Sequence, residues 1–485
     1  MISSAAAIGI LTFGAERVAS AATFDIPCTA GVGDSAALTT AVTTANTNGA
    51  DDTINLVAAC TYTYLAGTND SALPAISSDT NHSLTINGNG ATIARAVAAV
   101  TKFRVLAIAG GNATITGVTI TGGDLGGTLH GAGISLTTGT LVLRDSTIKG
   151  NTTASYGAGI YAGGGTLTIA KSTISGNKTS ADSAGLDVET GATVSVYNST
   201  FSGNTAVDGA GGIGILGGTL TLKNTTVSGN SADIGAGVGL GFGVVSIGNT
   251  IVAGNTAAVQ SDDVYEDDED TFTDLGNNVL GSTEGTVGFT VTTQKGTAAS
   301  PLNAQLNALA DNGGPTSTVS LKATSPANGS GSTAICTAAP VSGVDQRGNA
   351  REATCDVGAF ELPGGSVPPV PDAGVVDSGV ADSGVVDSGV KDGGASTDAS
   401  TKDGGLREDA GDDDDDDDDD VTPTDAGKKD AGKKDSGTGN GATTEGDDDG
   451  GCGCRTVPAS TNGAFSAGLF GMILLGLRRR SRQKK

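Results

Sequence analysis

TLVLRDSTIKGN (residues 140–151), TLTIAKSTISGN (166–177), TVSVYNSTFSGN (193–204), TLTLKNTTVSGN (219–230) and VVSIGNTIVAGN (244–255) follow one another along this chain. Their closing asparagines recur every 25 to 27 residues. A fixed period of this length indicates one structural unit stacked on copies of itself. The rest of the chain is expected to cap, deliver or display that stack.

Apolar residues alternate with small polar ones inside each segment, which is the period of a β-strand. The apolar positions match from repeat to repeat: Leu141 and Leu143, Leu167 and Ile169, Val194 and Val196, Leu220 and Leu222, Val245 and Ile247. A second strand carries Ile148, Ile174, Phe201, Val227 and Val252, and a third carries Ile134, Ile160, Leu186, Ile213 and Val238. Three short strands per repeat leave no room for a helix. The predicted fold is therefore all-β, a right-handed parallel β-helix whose coils lie about 4.8 Å apart.

The regions flanking the repeats complete the predicted domain organisation. We expect a signal peptide at 1–22, with a short apolar run and an Ala19-Ser20-Ala21 cleavage site. A helix-containing cap is predicted at 23–81, because Asp34 can cap a helix from Ser35 to Asn48 with Gly49 beyond its end. Repeats at 82–257 precede an irregular end of the β-helix at 258–361.

The asparagine that closes each segment is predicted to be structural. Stacked coils place each side-chain amide beside the next, so that each can donate to its neighbour and satisfy the turn backbone. The glycine before each asparagine allows the positive φ that such a turn needs. The predicted ladder contains Asn151, Asn177, Asn204, Asn230 and Asn255.

Composition and charge narrow the class of protein. The chain of 485 residues has 78 Gly, no Trp and a net charge of −26. This acidity argues against DNA or RNA as a partner. Four of the six cysteines form two pairs that flank the repeats, Cys28 with Cys60 and Cys336 with Cys355, which favours disulfides and an oxidising compartment. Zinc is the alternative, but the spacing is wrong and histidine is nearly missing.

One outer face of the coils carries the candidate chemistry. His130, Tyr156, Asp182 and Asp208 recur in steps of 26 residues, and Ser135, Tyr161 and Asp187 are expected to face outward beside them. Asp182 and Asp208 are predicted to lie about 5 Å apart, near the spacing of a retaining glycosidase pair. Aromatic rings beside carboxylates also suit sugar binding. The alternative is a solvated turn, because any solenoid with exposed turns aligns a few acids by chance. A lyase would want Arg or Lys beside its acids, and the sequence suggests none in this column.

An acidic segment, Asp262 to Asp270, follows the last repeat. Oxygen ligands of this kind can hold Ca²⁺. The segment lacks EF-hand spacing, so a solvated loop is the alternative. No other cofactor and no metal site is expected, and His82 is expected at the surface of the first coil.

The C-terminal third has two parts of its own. Residues 362–450 are rich in Asp and Gly, include the unbroken run from Asp412 to Asp420, and are expected to be a disordered, extended linker. Residues 451–485 contain Cys452 and Cys454, an apolar run and a basic end. This last part is predicted to be a transmembrane sorting segment with its basic end in the cytoplasm.

Several motifs resemble known families of surface proteins. DNGGPT, SPA, DQRG and CDVGAFE, in this order, resemble bacterial choice-of-anchor Q domain proteins, and the STISGN repeats are similar to chlamydial polymorphic outer-membrane proteins. The three-part tail resembles the MYXO-CTERM sorting signal of myxobacterial exported proteins. The resemblance implies a secreted β-helix without an established catalytic site. It also implies a sorting protease and anchoring chemistry at Cys452 or Cys454, with an uncleaved membrane anchor as the alternative.

Two functions follow from these observations. The first is a surface-displayed, adhesin-like or structural protein of the outer membrane or cell surface that binds polysaccharide or another surface protein. The second is a polysaccharide lyase or glycoside hydrolase that uses Asp182 and Asp208. The binding residues proposed for either function are His130, Tyr156, Tyr161, Asp182, Asp187 and Asp208.

Overall fold

A computed structural model describes residues 20–77, 82–260, 262–266, 271–284 and 288–363. This part of the chain is an all-β, right-handed parallel β-solenoid of about nine turns, which confirms the predicted fold class. The predicted signal peptide up to residue 19, the predicted linker from residue 364 and the predicted sorting tail lie outside the described residues. No helix among the described residues is long and apolar enough to cross a membrane.

The strands and helices are short and follow one another closely. The first part contains β1 Thr23–Asp25, β2 Cys28–Thr29, β3 Val32–Gly33, α1 Ser35–Ala45, β4 Asp52–Asn55, β5 Thr61–Tyr64, β6 Ser83–Arg95, β7 Leu106–Thr121 and β8 Asp124–Leu125. The central coils contain β9 Ile134–Arg144, β10 Thr147–Lys149, β11 Thr152–Thr153, β12 Ile160–Ala162, β13 Gly165–Ala170, β14 Thr173–Ser175, β15 Lys178–Thr179, β16 Leu186–Glu189, β17 Ala192–Tyr197, β18 Thr200–Ser202, β19 Ile213–Leu216, β20 Thr219–Lys223, β21 Thr226–Ser228, β22 Ser231–Ile234, β23 Val238–Gly241, β24 Val244–Gly248, β25 Ile251–Val252 and β26 Thr256–Gln260. The last part contains β27 Val264–Tyr265, β28 Thr271–Asp274, β29 Val279–Leu280, β30 Thr283–Glu284, β31 Gln294–Lys295, β32 Leu306–Ala310, β33 Thr318–Leu321 and α2 Thr333–Thr337.

Matching strands of successive coils pair in parallel, in the register that the repeats predict. Leu141, Leu167, Val194, Leu220 and Val245 are direct partners along one sheet. The second and third apolar columns stack in the same way, through Ile148 to Val252 and through Ile134 to Val238. All of these side chains are buried in one continuous core, because a single coil cannot cover its own apolar side.

Parallel pairing extends on both sides of the range 82–257. It begins at β1, which pairs with β4, and reaches β31, which pairs with β29. The cap helix α1 lies between β3 and β4, with Asp34 accepting a hydrogen bond from the Ala37 N–H at 2.9 Å. Leu38, Val42 and Ala45 are buried, as the sequence pattern indicates. The helix ends at Ala45 rather than Asn48, and the Asn46 side chain beyond its end donates to Ala75 O and accepts from the Ser77 N–H.

After the last coil, residues 297–363 pack along the outer side of the solenoid. The Gln346 amide donates to the hydroxyls of Thr173 (2.9 Å) and Thr316 (2.8 Å) and accepts from Thr200 (2.6 Å). Arg351 is buried, pairs with Glu361 at 2.9 Å and donates to Asn198 Oδ1 at 3.1 Å. The motifs DQRG and CDVGAFE therefore attach this C-terminal segment to the coils.

Two disulfides stabilise the two ends, and both pairs were predicted. Cys28 is bonded to Cys60 beside the cap, and Cys336 is bonded to Cys355 in the C-terminal segment. The amides of Asn224 and Asn249 contact the second disulfide at Cys336 Sγ. Each disulfide limits the freedom of the unfolded chain, and the second also ties α2 to the segment that covers the coils.

Candidate functional site

The closing asparagines form a buried ladder along the solenoid axis. Each side-chain amide donates to the Oδ1 of the asparagine one coil further on, over 2.9–3.0 Å. The same amides also donate to main-chain carbonyls of the preceding coil, such as Ile148 O and Ile174 O. The backbone N–H of each asparagine donates to the next Oδ1 as well. Because the Nδ2 donor and the Oδ1 acceptor of each amide are hydrogen-bonded within the coil turns, the ladder has a structural role.

Asp263 ends this ladder in place of a sixth asparagine. Its Oδ1 accepts from both the backbone N–H and the side-chain amide of Asn255, each at 2.9 Å. Burial raises the pKa of Asp263 to about 6, against the lowering effect of these bonds and of the Ser282 N–H. The sequence did not indicate this role, because Asp263 is in the acidic run rather than at the closing position of a repeat.

Asp262, beside Asp263 in the acidic run, has a separate structural role. Asp262 Oδ1 accepts from the Ala257 N–H at 2.8 Å, so this carboxylate caps a turn. Asp267 to Asp270 lie outside the described residues. Within the described ranges no three His, Cys, Asp or Glu side chains lie together as a metal site requires. Calcium binding at Asp262–Asp270 therefore stays a prediction that concerns mainly the residues outside those ranges.

The candidate column lies just before the third sheet of the solenoid. The His130 ring stacks on Tyr156 with centroids 5.2 Å apart and on Tyr161 with centroids 4.6 Å apart. Tyr161 on β12 pairs with Ser135 on β9 and with Asp187 on β16, so the second predicted column is in register. The three rings are half-buried, whereas Ser135 and Asp187 are buried rather than exposed, because the preceding turn covers this part of the sheet.

The hydrogen bonds of His130 fix its tautomer. Its Nδ1 lies 3.4 Å from the backbone N–H of Tyr156, which can only donate, and 2.9 Å from Ser155 Oγ. Nδ1 is therefore an acceptor and the proton of the neutral ring is on Nε2. Burial, and then the charge of Arg104, lowers the pKa of His130. The ring is thus a neutral donor at pH 7.

A basic side chain, Arg104, lies next to His130 on the preceding coil, away from the acids of the column. Arg104 stands 26 residues before His130 and donates from Nη2 to His130 O at 3.1 Å. Burial lowers the pKa of this half-buried guanidinium, and the charge of Asp70 raises it. The 26-residue step does not apply here, because this coil has 28 residues and pairs Leu106 with Ile134. The dissimilar loop at 96–103 hides the repeat at this point.

The opposite end of the column is acidic. Asp182 is only 7% exposed and Asp208 is half-buried. A β-carbon on Gly209 would lie only 2.3 Å from Asp182 Oδ1, so this carboxylate packs against the backbone of Gly209. One member of the predicted catalytic pair is therefore covered by the turn of the next coil.

Two further carboxyls lie on β16 beside the column. Asp187 is fully buried beside the Ser183 hydroxyl, and hydrogen bonding to that hydroxyl opposes the effect of burial on its pKa. Burial first, and then Glu189, raises the pKa of Asp187 well above the ordinary range. Burial also raises the pKa of the half-buried Glu189. Glu189 and Ser183 were not predicted from the sequence, since neither belongs to the 26-residue column of acids.

The charges of the nearby carboxyls act on Tyr156. Its pKa is raised first by burial and then by the charges of four carboxyls: Asp182, Asp187, Glu189 and Asp208. Burial, Glu189 and Asp187 raise the pKa of Tyr161 as well. Arg104, His130, Tyr156, Asp182 and Asp208, together with Tyr161, Asp187 and Glu189, are called the axial strip below. Its charge changes from positive to negative along the solenoid axis.

The other predicted functional residues lie apart from this strip. His82 Nδ1 is 3.9 Å from the Asp51 carboxylate near the first coil, and Cys452 and Cys454 lie outside the described residues. A groove of about 490 Å³ runs between the turn at Asn255 and residues 301–308, and one of about 320 Å³ lies between Thr147 and residues 309–317. Both grooves are shallow clefts under the C-terminal segment, away from the aromatic stack.

Comparison with known proteins supports the fold and adds no activity. Residues 86–296 match the family model described as a right-handed β-helix region. No curated protein sequence matches the chain. Among solved structures, the chain is similar to pectate lyase Pel9A, with 12% identity and a TM-score of 0.39 over 67% of this chain and 90% of that one.

Proposed function

We propose that this chain is an exported, surface-displayed β-solenoid that binds glycan along the axial strip. The observation that carries this proposal is the stack of His130 on Tyr156 and Tyr161 beside four carboxyls, on a regular parallel sheet. Each coil advances about 4.8 Å along the axis, close to the length of one sugar unit in an extended polymer. Successive sugar units of such a polymer would therefore lie over successive coils.

The chemistry of the strip suits a ligand with many hydroxyl groups. The neutral His130 ring donates from Nε2, the two tyrosine hydroxyls can donate and accept, and the carboxylates of Glu189 and Asp208 accept. Sugar hydroxyls can complement each of these groups. Such a set of directed polar groups beside aromatic rings is typical of carbohydrate-binding surfaces.

Binding is favoured over cleavage by the position of Asp182. A retaining glycosidase needs two carboxyl groups about 5–5.5 Å apart that both reach the sugar. Asp182 is buried against Gly209, so the two carboxyls of the predicted pair are not equally accessible to a sugar. The alternative, a lyase or hydrolase acting at Asp182 and Asp208, would require the 182–185 turn to open.

Display at the cell surface is the second element of the proposal. Two disulfides are characteristic of an oxidising compartment outside the cytoplasm. The apolar N-terminal run, the acidic linker and the tail with Cys452, Cys454 and a basic end suit export followed by anchoring through a sorting protease. A binding role towards polysaccharide or another surface protein, as in an adhesin, follows from this location.

Retention on insoluble polysaccharides tests binding and cleavage together. The purified protein is incubated with a panel of polysaccharides, with and without Ca²⁺, and is assayed for retention and for new reducing ends or unsaturated sugars. We expect retention without products, and loss of retention in the double variant His130→Ala/Tyr156→Ala. A control variant, Thr166→Ala/Thr193→Ala, changes two exposed threonines on another face and should be retained. Product formation that is lost in Asp182→Asn/Asp208→Asn would instead establish the enzyme.

A further inference from the structure

The carboxyl group of Asp52, the first residue of β4, is buried and only partly satisfied. Asp52 is 3% exposed. Its Oδ1 accepts from the backbone N–H of Ala22 at 2.8 Å and from the Asn48 amide at 2.9 Å. Its Oδ2 accepts no hydrogen bond within the described part of the chain, and none of the ion pairs between described residues includes Asp52. A buried carboxylate without a cation lowers the stability of the fold.

Ala22, the backbone donor to Asp52, lies where the exposed N-terminal chain meets the solenoid. Its carbonyl accepts from the Thr53 N–H at 2.9 Å, just before β1 pairs with β4. Ser20 and Ala21 are exposed. Residues 19–21, Ala-Ser-Ala, have the small-residue pattern that a signal peptidase recognises, and cleavage after this pattern falls between Ala21 and Ala22. The nitrogen of the bond expected to be cut is therefore the one that contacts Asp52.

Hydrolysis of this bond changes the chemical group that Asp52 contacts. As the C–N bond breaks, water gives its hydroxyl to the carbonyl carbon of Ala21 and its hydrogen to the nitrogen of Ala22. The Ala21 carboxyl leaves with the signal peptide, and the new amine binds a proton, since an α-amino group has an ordinary pKa of about 7.7–8.0. A neutral N–H with one donor thus becomes an ammonium with three donors and a positive charge.

We propose that cleavage between Ala21 and Ala22 completes the N-terminal cap, because the α-ammonium of Ala22 forms a buried ion pair with Asp52 and supplies a donor to Oδ2. This inference rests on the export that is part of the proposed function and does not depend on glycan binding. Charge-assisted hydrogen bonds are about twice as strong as neutral ones. Cleavage should therefore hold β1 more firmly against β4 than the uncleaved chain does.

Hydrogen exchange in chains with different N-termini tests this ion pair. One full chain begins at Ala22 and a second begins at Ser20, each released from a removable fusion partner, so that both carry one ammonium and the same net charge. Mass spectrometry at pH 6.5 follows exchange of the amides of 53–55 on β4. We expect exchange to be about 10- to 100-fold slower in the chain that begins at Ala22, the range for a hydrogen bond to a charged group.

Matched variants show whether the slower exchange depends on the buried carboxylate. Asp52→Asn keeps an Oδ1 acceptor for Ala22 and Asn48 but has no charge, so the two N-termini should give equal exchange. Asp51→Asn is the control, because Asp51 is the exposed neighbour and accepts from the Ser83 N–H and hydroxyl instead. In this variant the chain that begins at Ala22 should still exchange more slowly. Both comparisons are made within one variant, so the effect of the substitution itself on stability cancels.

The N-terminus of the exported protein, identified by mass spectrometry, completes the test and is expected to be Ala22. Equal exchange in the two wild-type chains, or a difference that persists in Asp52→Asn, would overturn the inference and leave export in place. An exported chain that begins at another residue would also overturn it. A chain that stays in the cytoplasm with residues 1–21 attached would contradict the proposed export and the inference together.

Discussion

Asp263 links the asparagine ladder to pH. Its pKa is about 6 in the folded chain, against an ordinary value of 3.8, so the folded state binds the proton more tightly than the unfolded state. The contribution of this group to stability is therefore full below its unfolded pKa of 3.8 and is lost as the pH rises through 6. Above about pH 7 the remaining contribution is constant, because both states are then deprotonated.

Replacing Asp263 with Asn should remove this dependence. An amide keeps an Oδ1 acceptor for Asn255 and carries no charge. We expect the free energy of unfolding of the variant, relative to that of the wild type, to increase by about 3 kcal/mol between pH 4 and pH 7. Denaturant titrations at several pH values measure this difference, in which all other titrating groups cancel. A difference that does not vary with pH would contradict the pKa assigned to Asp263.

Asp187 is expected to lower the stability of the folded chain, because its carboxyl is buried. Because burial raises its pKa, the carboxyl opposes folding increasingly as the pH rises above its ordinary pKa. Asp187→Asn should therefore raise the free energy of unfolding at pH 7 by about 1–3 kcal/mol, with little change near pH 3. Chemical denaturation of the full chain measures the change. A loss of stability at pH 7 would mean that the charged carboxyl has a stabilising partner.

The repeated turn is the element on which the stack depends. In each coil the asparagine amide bridges the preceding main chain and the following asparagine, and a small residue must precede the third strand. A β-carbon on Gly159, for example, would lie 2.5 Å from Gly185 O in the next coil. The Gly-Ala-Gly pattern therefore follows from the close approach of successive coils, as the asparagine column follows from their turns.

Removing one member from the middle of the ladder tests this argument. Asn204→Ala deletes the acceptor for Asn177 and the donor to Asn230, and leaves several buried polar groups unpaired. We expect a loss of about 3–5 kcal/mol in the free energy of unfolding, measured in denaturant. Thr219→Ala, at an exposed position on a neighbouring coil, is the control and should change stability by less than about 0.5 kcal/mol. A comparably small effect for Asn204→Ala would show that the ladder is dispensable.

At the scale of the molecule, the sequence predicted the features that leave a local pattern and missed contacts between distant segments. The three apolar columns and the cap at Asp34 each leave a local pattern, so their positions could be read directly. The attachment of residues 297–363 depends on single side chains, Gln346 and Arg351, that contact coils about 150 residues away. No periodicity marks such contacts. Asn198, a positive-φ residue in a second turn, was missed because its partner is in that distant segment.

The candidate site was predicted in outline for the same reason. The 26-residue step found His130, Tyr156 and Asp182, which the strand register aligns, but it placed Asp208 wrongly, because the next coil has 27 residues and the register partner of Asp182 is Gly209. Burial could not be read from the step, because it depends on how each turn folds over the strand below. Ser183, for instance, adopts a positive φ, and its side chain lies over Gly214. In two other coils the position equivalent to Ser183 is a glycine, Gly131 or Gly157. The spacing of residues in the sequence predicts which side chains align along the solenoid axis, whereas the geometry of each turn determines which of them are exposed.

The dependence of affinity on ligand length tests the central claim most directly, which is that the solenoid period forms a track for an extended glycan. The strip runs through five successive coils, from Arg104 to Asp208. If one sugar lies over each coil, the dissociation constant of oligomers of a retained glycan should decrease with each added unit up to about five and then remain constant. A dissociation constant that is the same for a disaccharide and a pentamer, or one that keeps decreasing well beyond five units, would contradict the account.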